Sequence, residues 1–277
     1  MRAREALDVA AGELADAGCR SPRVDAEWLL AEALSVSRSA LQADGTRELS
    51  PEIAADFRRA IARRAAREPL AYILGEWGFR RLELRVDSRV LIPRPETEVL
   101  VERSLALLAG IDRPRVLDIG VGSGAVALAI ADEHEGAQVA ATDRSADALA
   151  VAEENRAKVG LDGRVELVEG ELFAGLAGPF DLVVSNPPYV DPADLDTLDP
   201  EVRDYEPREA LVATGVTEAI AAGAPDVLVA GGALALEVAE GKAAEVAAML
   251  DERGYEEVTV TRDLAGRERI VDGRTRR

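Results

Sequence analysis

The chain has 277 residues, 48% of them hydrophobic, with a formal net charge of −19 and a sequence pI near 4.6. That is enough apolar material for one large or two unequal globular domains. So acidic a surface excludes a wide nucleic-acid-binding face, because a polyanion needs a local basic cluster to overcome the global field. Cys19 and His134 are the only residues of their types, which leaves no intrachain disulfide and no zinc site built from Cys and His. His134 stands in the polar run Asp132-Glu133-His134-Glu135 and reads as a solvated helix end, which also argues against Ser–His hydrolysis. No stretch approaches the roughly 18 apolar residues of a membrane span, and no signal-peptide core opens the chain. A cytoplasmic protein without membrane contact is expected.

Residues 1–70 carry helical periodicity and no strand pattern. Ala6, Leu7, Val9, Ala10, Leu14 and Ala17 mark a first helix, and Val24, Trp28, Leu29, Leu30, Ala33 and Leu34 a second. Ser50-Pro51-Glu52 is an N-cap followed by proline at the first helical position, opening a third helix to about Arg67. That helix bears Arg58, Arg59, Arg63, Arg64 and Arg67, the one dense basic stripe. It reads as a solvated face or, more sharply, as a docking surface for an acidic or RNA-associated partner. The pattern changes at Pro69. Leu82–Val86 alternates with period two, Val90-Leu91-Ile92 follows, and Asp87-Ser88 between them predicts a β-hairpin within a linker over 71–95. Pro95 and the acids Glu96 and Glu98 then begin a helix, the acids facing the positive end of its dipole. Arg94 has no such local role and is a candidate substrate contact.

From Arg113 onward strands and helices alternate. Strands are predicted at 115–119, 138–142, 164–168, 180–185 and 232–237, helices at 124–133, 145–158, 216–222 and 241–253. Alternation of this kind predicts an α/β domain with a doubly wound, mainly parallel sheet. The tail, Glu256–Val260 and Arg269–Val271, has no room for a crossover helix and reads as an antiparallel hairpin at the sheet edge.

The first strand runs into Gly120-Val121-Gly122-Ser123-Gly124. Glycines there let a ligand approach the backbone beside a helix N-terminus. Nicotinamide, flavin and adenosyl cofactors all use such loops, and Ala125 leaves a degenerate dinucleotide match open. The glycine spacing and Asp118 just before the loop favour S-adenosylmethionine, whose charged amino-acid end suits an acid. Asp143 ends the second strand, where an acid accepts from ribose hydroxyls. The fourth strand runs into Ser185-Asn186-Pro187-Pro188-Tyr189. Asn-Pro and Pro-Pro are ordinary turn dipeptides. The same corner also offers the Asn186 Oδ1 and the Pro187 carbonyl to a planar –NH2 group, with an aromatic ring beside them.

A glycine loop and an Asn-Pro-Pro-Tyr corner on one sheet resemble the amino-methyltransferases. The stretches Pro69–Gly75, Ile92-Pro93-Arg94-Pro95-Glu96-Thr97, Asp204–Leu211 and Asp263–Arg269 narrow the likeness: the chain resembles the release-factor glutamine methyltransferase family (HemK/PrmC type) over nearly its whole length. The resemblance implies a seven-stranded, Rossmann-like class I methyltransferase domain over 96–277. It also implies a small all-α recognition domain over 1–70, joined to it by the hairpin. It further implies N5-methylation of the glutamine in the Gly-Gly-Gln loop of class I peptide-chain release factors, with S-adenosyl-L-methionine as donor and no metal. By position, Asn186 and Pro187 are the catalytic pair, and Pro188, Tyr189 and Arg94 complete the substrate site. Asp118, Gly120, Val121, Gly122, Ser123, Gly124, Asp143, Leu172 and Asn186 meet the cofactor, with Leu172 at the adenine pocket. A monomer that binds no DNA is expected. A ribosomal-protein glutamine, an adenine N6 or RNA amine, and a non-catalytic binding module are the competing readings. Val212-Ala213-Thr214-Gly215 and Lys242 depart from the family pattern.

Overall fold

The computed structural model describes residues 2–176 and 178–277. The chain forms two compact units, Met1–Glu76 with Asp199–Tyr205, and Trp77–Leu198 with Glu206–Arg277. The first contains α1 (Ala3–Asp16), α2 (Pro22–Ala33), α3 (Arg38–Ala43), α4 (Pro51–Ala65) and α5 (Leu70–Leu74). Proline begins α2 and α4, and the Ser50 hydroxyl accepts from the Ile53 N–H at 3.3 Å to cap the latter. Leu14, Leu29, Leu30, Phe57 and Ile61 are buried between the helices, each burial contributing roughly 1.5–3 kcal/mol. Helices α3 and α5, of 6 and 5 residues, are too short to show a 3.6-residue period in sequence.

The arginine stripe at 58–67 is a solvated face at Arg58, Arg59 and Arg63, which are exposed, but not at Arg64 and Arg67. Arg64 is buried, donating to the Asp25 carboxylate at 2.8 Å and to Glu201 at 2.8 Å. Arg67 forks onto the same Glu201, Arg63 pairs with Glu68 and Arg59 with Asp56. Glu201 comes from a segment more than 130 residues away, so the pairing leaves no local trace.

The second unit runs through β1 (Glu76–Phe79), β2 (Leu82–Arg85), α6 (Pro95–Leu107), β3 (Arg115–Ile119), α7 (Ala125–Glu133), β4 (Gln138–Asp143), α8 (Ala146–Val159), β5 (Val165–Glu169) and β6 (Phe180–Ser185). A 3-10 turn at Pro192–Thr197 leads to α9 (Pro200–Arg203), which belongs to the first unit. Then come α10 (Arg208–Leu211), α11 (Val216–Val227), β7 (Leu228–Glu237), α12 (Ala243–Glu252), β8 (Glu256–Arg262) and β9 (Glu268–Arg274). The expected pairing of 82–86 with 90–92 does not form. β2 pairs with β1 instead, turning at Arg80, which takes a left-handed φ of 51°. Val90 closes a turn instead, its N–H donating to the Asp87 carbonyl at 3.1 Å, and Pro93 ends the segment with a residue that has no backbone donor.

Seven strands form one sheet in the order β5-β4-β3-β6-β7-β9-β8. β3 to β7 are mutually parallel, and β9 lies antiparallel between β7 and β8. Val116, Leu117, Leu182, Val183 and Val184 are fully buried, as expected for strands covered on both faces. β7 starts earlier than predicted, because Gly231-Gly232 form an irregularity within the strand, where its register with β6 shifts. α11 runs past its internal Pro225 to Val227. A proline there removes the N–H that would reach the Ala221 carbonyl, and the buried Tyr255 hydroxyl donates to that carbonyl at 2.8 Å. The chain lays β3, β4 and β5 outward in one direction, then returns to place β6 on the other side of β3. This reversal is the topological switch point, where open α/β sheets bind ligands at the carboxyl ends of their strands.

Candidate active site

Strand register brings the sequence motifs together. Ile119 lies opposite Thr142 on one side and Ser185 on the other, so Gly120, Asp143 and Asn186 leave adjacent strands at one level. The buried Ser185 hydroxyl donates to the Ile119 carbonyl at 2.7 Å, tying the two central strands at the point where their loops depart.

The glycine loop is held from several sides. Gly120 and Gly122 have φ of 80° and 53°, and a Cβ on either meets nothing within 4 Å, because both line an open cavity. Gly124 differs: a Cβ there comes to 2.8 Å from the Leu128 side chain. The Asp143 carboxylate accepts from the Gly122 N–H at 3.0 Å and the Ser145 N–H at 2.9 Å. Its orientation is thereby set before any ligand arrives, with lone pairs to spare. Asp118 does not line the cavity. It is buried behind the loop and accepts from the Ala127 N–H at 3.1 Å, satisfying one orphan amide at the start of α7. Burial pushes its carboxyl up to about 7, against the Ala127 hydrogen bond and with help from the Asp143 charge. Val121, Ser123 and Gly124 likewise shape the loop without lining the cavity. Leu172 lines it, in a left-handed conformation, with its carbonyl accepting from the Thr142 hydroxyl at 3.0 Å.

Asn186, Pro187 and Pro188 also line this cavity, whereas Tyr189 does not. The Asn186 Nδ2 donates to the Thr97 hydroxyl at 3.2 Å. The Tyr189 ring is partly exposed, but its hydroxyl reaches the Glu237 carboxylate at 3.3 Å. Glu237, at the end of β7, is 1% exposed. Burial pushes its carboxyl up to about 7, opposed by hydrogen bonds from Thr97 and Tyr189. The exit from the corner is pinned as well, because the Val190 N–H donates to the Leu211 carbonyl at 2.9 Å.

Several residues of the site escape a reading of the sequence alone. Val90, Leu91, Pro207, Glu209, Ala210 and Ala213 form walls of the cavity. The 207–213 wall is braced by Arg94. Its guanidinium does not line the cavity but pairs with the buried Glu206, whose carboxyl burial pushes up. Asn155, fully buried in α8, accepts from the Arg85 N–H at 2.6 Å and donates to the Arg85 carbonyl at 3.0 Å. It also donates to the Ser123 carbonyl at 2.8 Å, so one side chain joins the hairpin's end to the glycine loop. The cavity is thus lined by the glycine backbone at 120 and 122, the oriented Asp143 carboxylate, the Asn186-Pro187-Pro188 corner and apolar side chains that include Leu91, Leu172 and Ile220.

Two family models match the chain: the PrmC N-terminal domain over residues 5–75 and the methyltransferase small domain over residues 96–199. The release factor glutamine methyltransferase of Deinococcus radiodurans is 45% identical over 278 aligned residues, covering 99% of each chain. That of Geobacter sulfurreducens is 44% identical, covering 98% of this chain and 96% of its own. Among solved structures, a methyltransferase from Pyrococcus furiosus superposes with a TM-score of 0.51 at 19% identity. It covers 71% of this chain and 90% of that one, a likeness of fold.

Proposed function

The chain belongs to the release factor glutamine methyltransferase family, and from that membership we propose that it N5-methylates the glutamine of the Gly-Gly-Gln loop in class I peptide-chain release factors. The methyl donor is S-adenosyl-L-methionine. A translation factor as substrate places the reaction in the cytoplasm, and no helix among the described residues is long and apolar enough to cross a membrane. The observation that carries the reading is the pairing of Asn186 Nδ2 with Thr97. It leaves the Asn186 Oδ1 uncommitted by that bond, and Asn186 and Pro187 line the same cavity as Gly120, Gly122 and Asp143.

With S-adenosyl-L-methionine bound, Asp143 would take ribose hydroxyls, the backbone at Gly120 and Gly122 would admit close approach, and Leu172 would cover the base. Bound there, the donor supplies an electrophilic methyl group on a sulfonium. An amide nitrogen is a weak nucleophile because its lone pair is delocalised into the carbonyl. Asn186 Oδ1 and the Pro187 carbonyl each accept one amide hydrogen, raising electron density on the nitrogen and fixing its direction. As positive charge develops on that nitrogen both hydrogen bonds strengthen, so they stabilise the transition state more than the ground state. Orientation adds to this by holding the two reactants in line. The proton leaves to water once the methylated nitrogen has become strongly acidic.

The test offers labelled S-adenosylmethionine with a release factor, a ribosomal protein or nucleic acid. Label is expected on the release factor alone. Asn186→Ala is expected to lower turnover by about 10²–10³-fold, the usual loss when one transition-state hydrogen bond of this kind is removed. Asn186→Ala working at the native rate sinks the clamp mechanism, and label on another acceptor sinks the substrate assignment.

A further inference from the structure

The glycine loop is the part of the site with the most backbone freedom to lose. Glycine has more accessible conformations than any other residue, and Gly120, Gly122 and Gly124 fall within five positions. A ligand that has to order such a loop binds more weakly, so restraints set by the fold raise its affinity. The Gly120 and Val121 N–H groups both donate to the Thr142 carbonyl, at 2.8 and 2.9 Å. The Gly122 N–H donates to Asp143, and the Gly124 N–H to the Val121 carbonyl at 2.8 Å. The Ser123 carbonyl, opposite that last N–H across the same peptide, accepts from the Asn155 Nδ2 at 2.8 Å. The Ser123–Gly124 peptide plane is therefore held at both polar ends.

Asn155 has no choice in how it makes this bond. Its side chain is fully buried, the Arg85 N–H can only donate, and the Arg85 and Ser123 carbonyls can only accept. Oδ1 must face the N–H, and the two Nδ2 hydrogens go one to each carbonyl. The Arg85 end leads to a second wall of the cavity. From there the chain passes the buried Val86 into a turn where the Arg89 and Val90 N–H groups donate to the Asp87 carboxylate and carbonyl. Arg89, Val90 and Leu91 then line the cavity.

We infer that Asn155 is a positioning residue for the methyl donor, fixing the Ser123–Gly124 peptide and the root of the 89–91 wall in the geometry that receives S-adenosylmethionine. It does not line the cavity itself, so it acts through those two backbones. This inference rests on the reading of the cavity as an S-adenosylmethionine site.

Asn155→Ala and Asn155→Ser in the full chain test it, since each removes the carboxamide that joins the two backbones. Measurements are made well below each variant's own melting temperature, where a loss of stability alone changes neither affinity nor turnover. Calorimetric affinity for S-adenosylmethionine is expected to fall about 5–50-fold, the effect of losing one or two buried hydrogen bonds. KM for the donor is expected to rise in step, while kcat at saturating donor and KM for the release factor stay within about threefold. The native chain supplies a measurement that needs no variant. Without the donor, its Gly124 amide is expected to exchange hydrogen about 100-fold or more slower than an unstructured glycine, and the variants to lose most of that protection. Native donor affinity in either folded variant overturns the inference. So does a native Gly124 amide that exchanges freely, or a kcat that falls while donor affinity holds. If the native chain binds no S-adenosylmethionine, the reading of the cavity falls and takes this role with it. If it binds and the variants bind as tightly, only the positioning role falls.

Discussion

Asp118 shows how one residue type supports two readings that only burial separates. An acid before a glycine loop suits a cationic ligand end, yet its carboxylate sits behind the loop on the Ala127 amide. The cost of that position is electrostatic. Its pKa is raised to about 7 by complete burial, whereas an unfolded aspartate titrates near 3.9. Between about pH 4 and pH 7 the folded chain keeps a proton that the unfolded chain has released, so this residue's contribution falls as pH rises through that window. Above it the full penalty applies. Asp118→Asn cannot ionise and keeps an oxygen for Ala127, so it escapes the penalty. Relative to the native chain the variant is expected to gain on the order of 2–4 kcal/mol between pH 4 and pH 8. Thermal melts at the two pH values check this, and a difference that does not change with pH removes the assignment.

Elements were legible where their signal is local. β3 and β6 match their predicted bounds of 115–119 and 180–185, because each is an apolar run stopped by a proline before it and a special loop after it. The edge hairpin β8–β9 was legible too, since no helix fits between its strands. What failed depended on distant partners or on glycine and proline read as breakers. α11 is the clearest case. Pro225 argues for an end near residue 222, yet the helix continues to Val227, and the reason lies over 30 residues downstream in the Tyr255 hydroxyl. Tyr255 is 5% exposed, so removing its hydroxyl strands the Ala221 carbonyl in the core. Tyr255→Phe is expected to cost about 1–3 kcal/mol, the penalty of a buried acceptor without a donor. Denaturant unfolding measures it, and a variant as stable as the native chain disposes of this account of the helix. Asn155 and Glu237 were illegible for the same reason. Asn155 reaches an Arg85 backbone 70 positions away, and Glu237 a tyrosine 48 positions away.

For the whole molecule, the chain's connectivity complicates any division of labour. The helical unit is discontinuous, because Asp199–Tyr205 belongs to it although the residues on both sides belong to the other unit. Glu201 is the hub, taking Arg64 and Arg67 together, and Arg64 is buried between it and Asp25. A buried arginine with two carboxylates is poor evidence for net stability, but removing one partner leaves unpaired charge and costs about 3–5 kcal/mol. All the residues lining the cofactor cavity, by contrast, come from the second unit. The two halves of the activity are therefore separable in principle. A chain starting at Pro69 is expected to bind S-adenosylmethionine within a few-fold of the native affinity by calorimetry. The same chain is expected to lose most of its kcat/KM on an intact release factor, since the recognition assigned to the helices is gone. Loss of the helices also strips Glu201 of both arginines, so a second protein is needed to separate recognition from local damage. Glu201→Gln in the full chain disturbs the same hub and keeps every helix. If recognition resides in the helical unit, Glu201→Gln methylates an intact release factor far better than the truncated chain does. Equal losses in the two place the defect in the 199–205 segment instead, and full activity in the truncated chain removes the recognition role altogether.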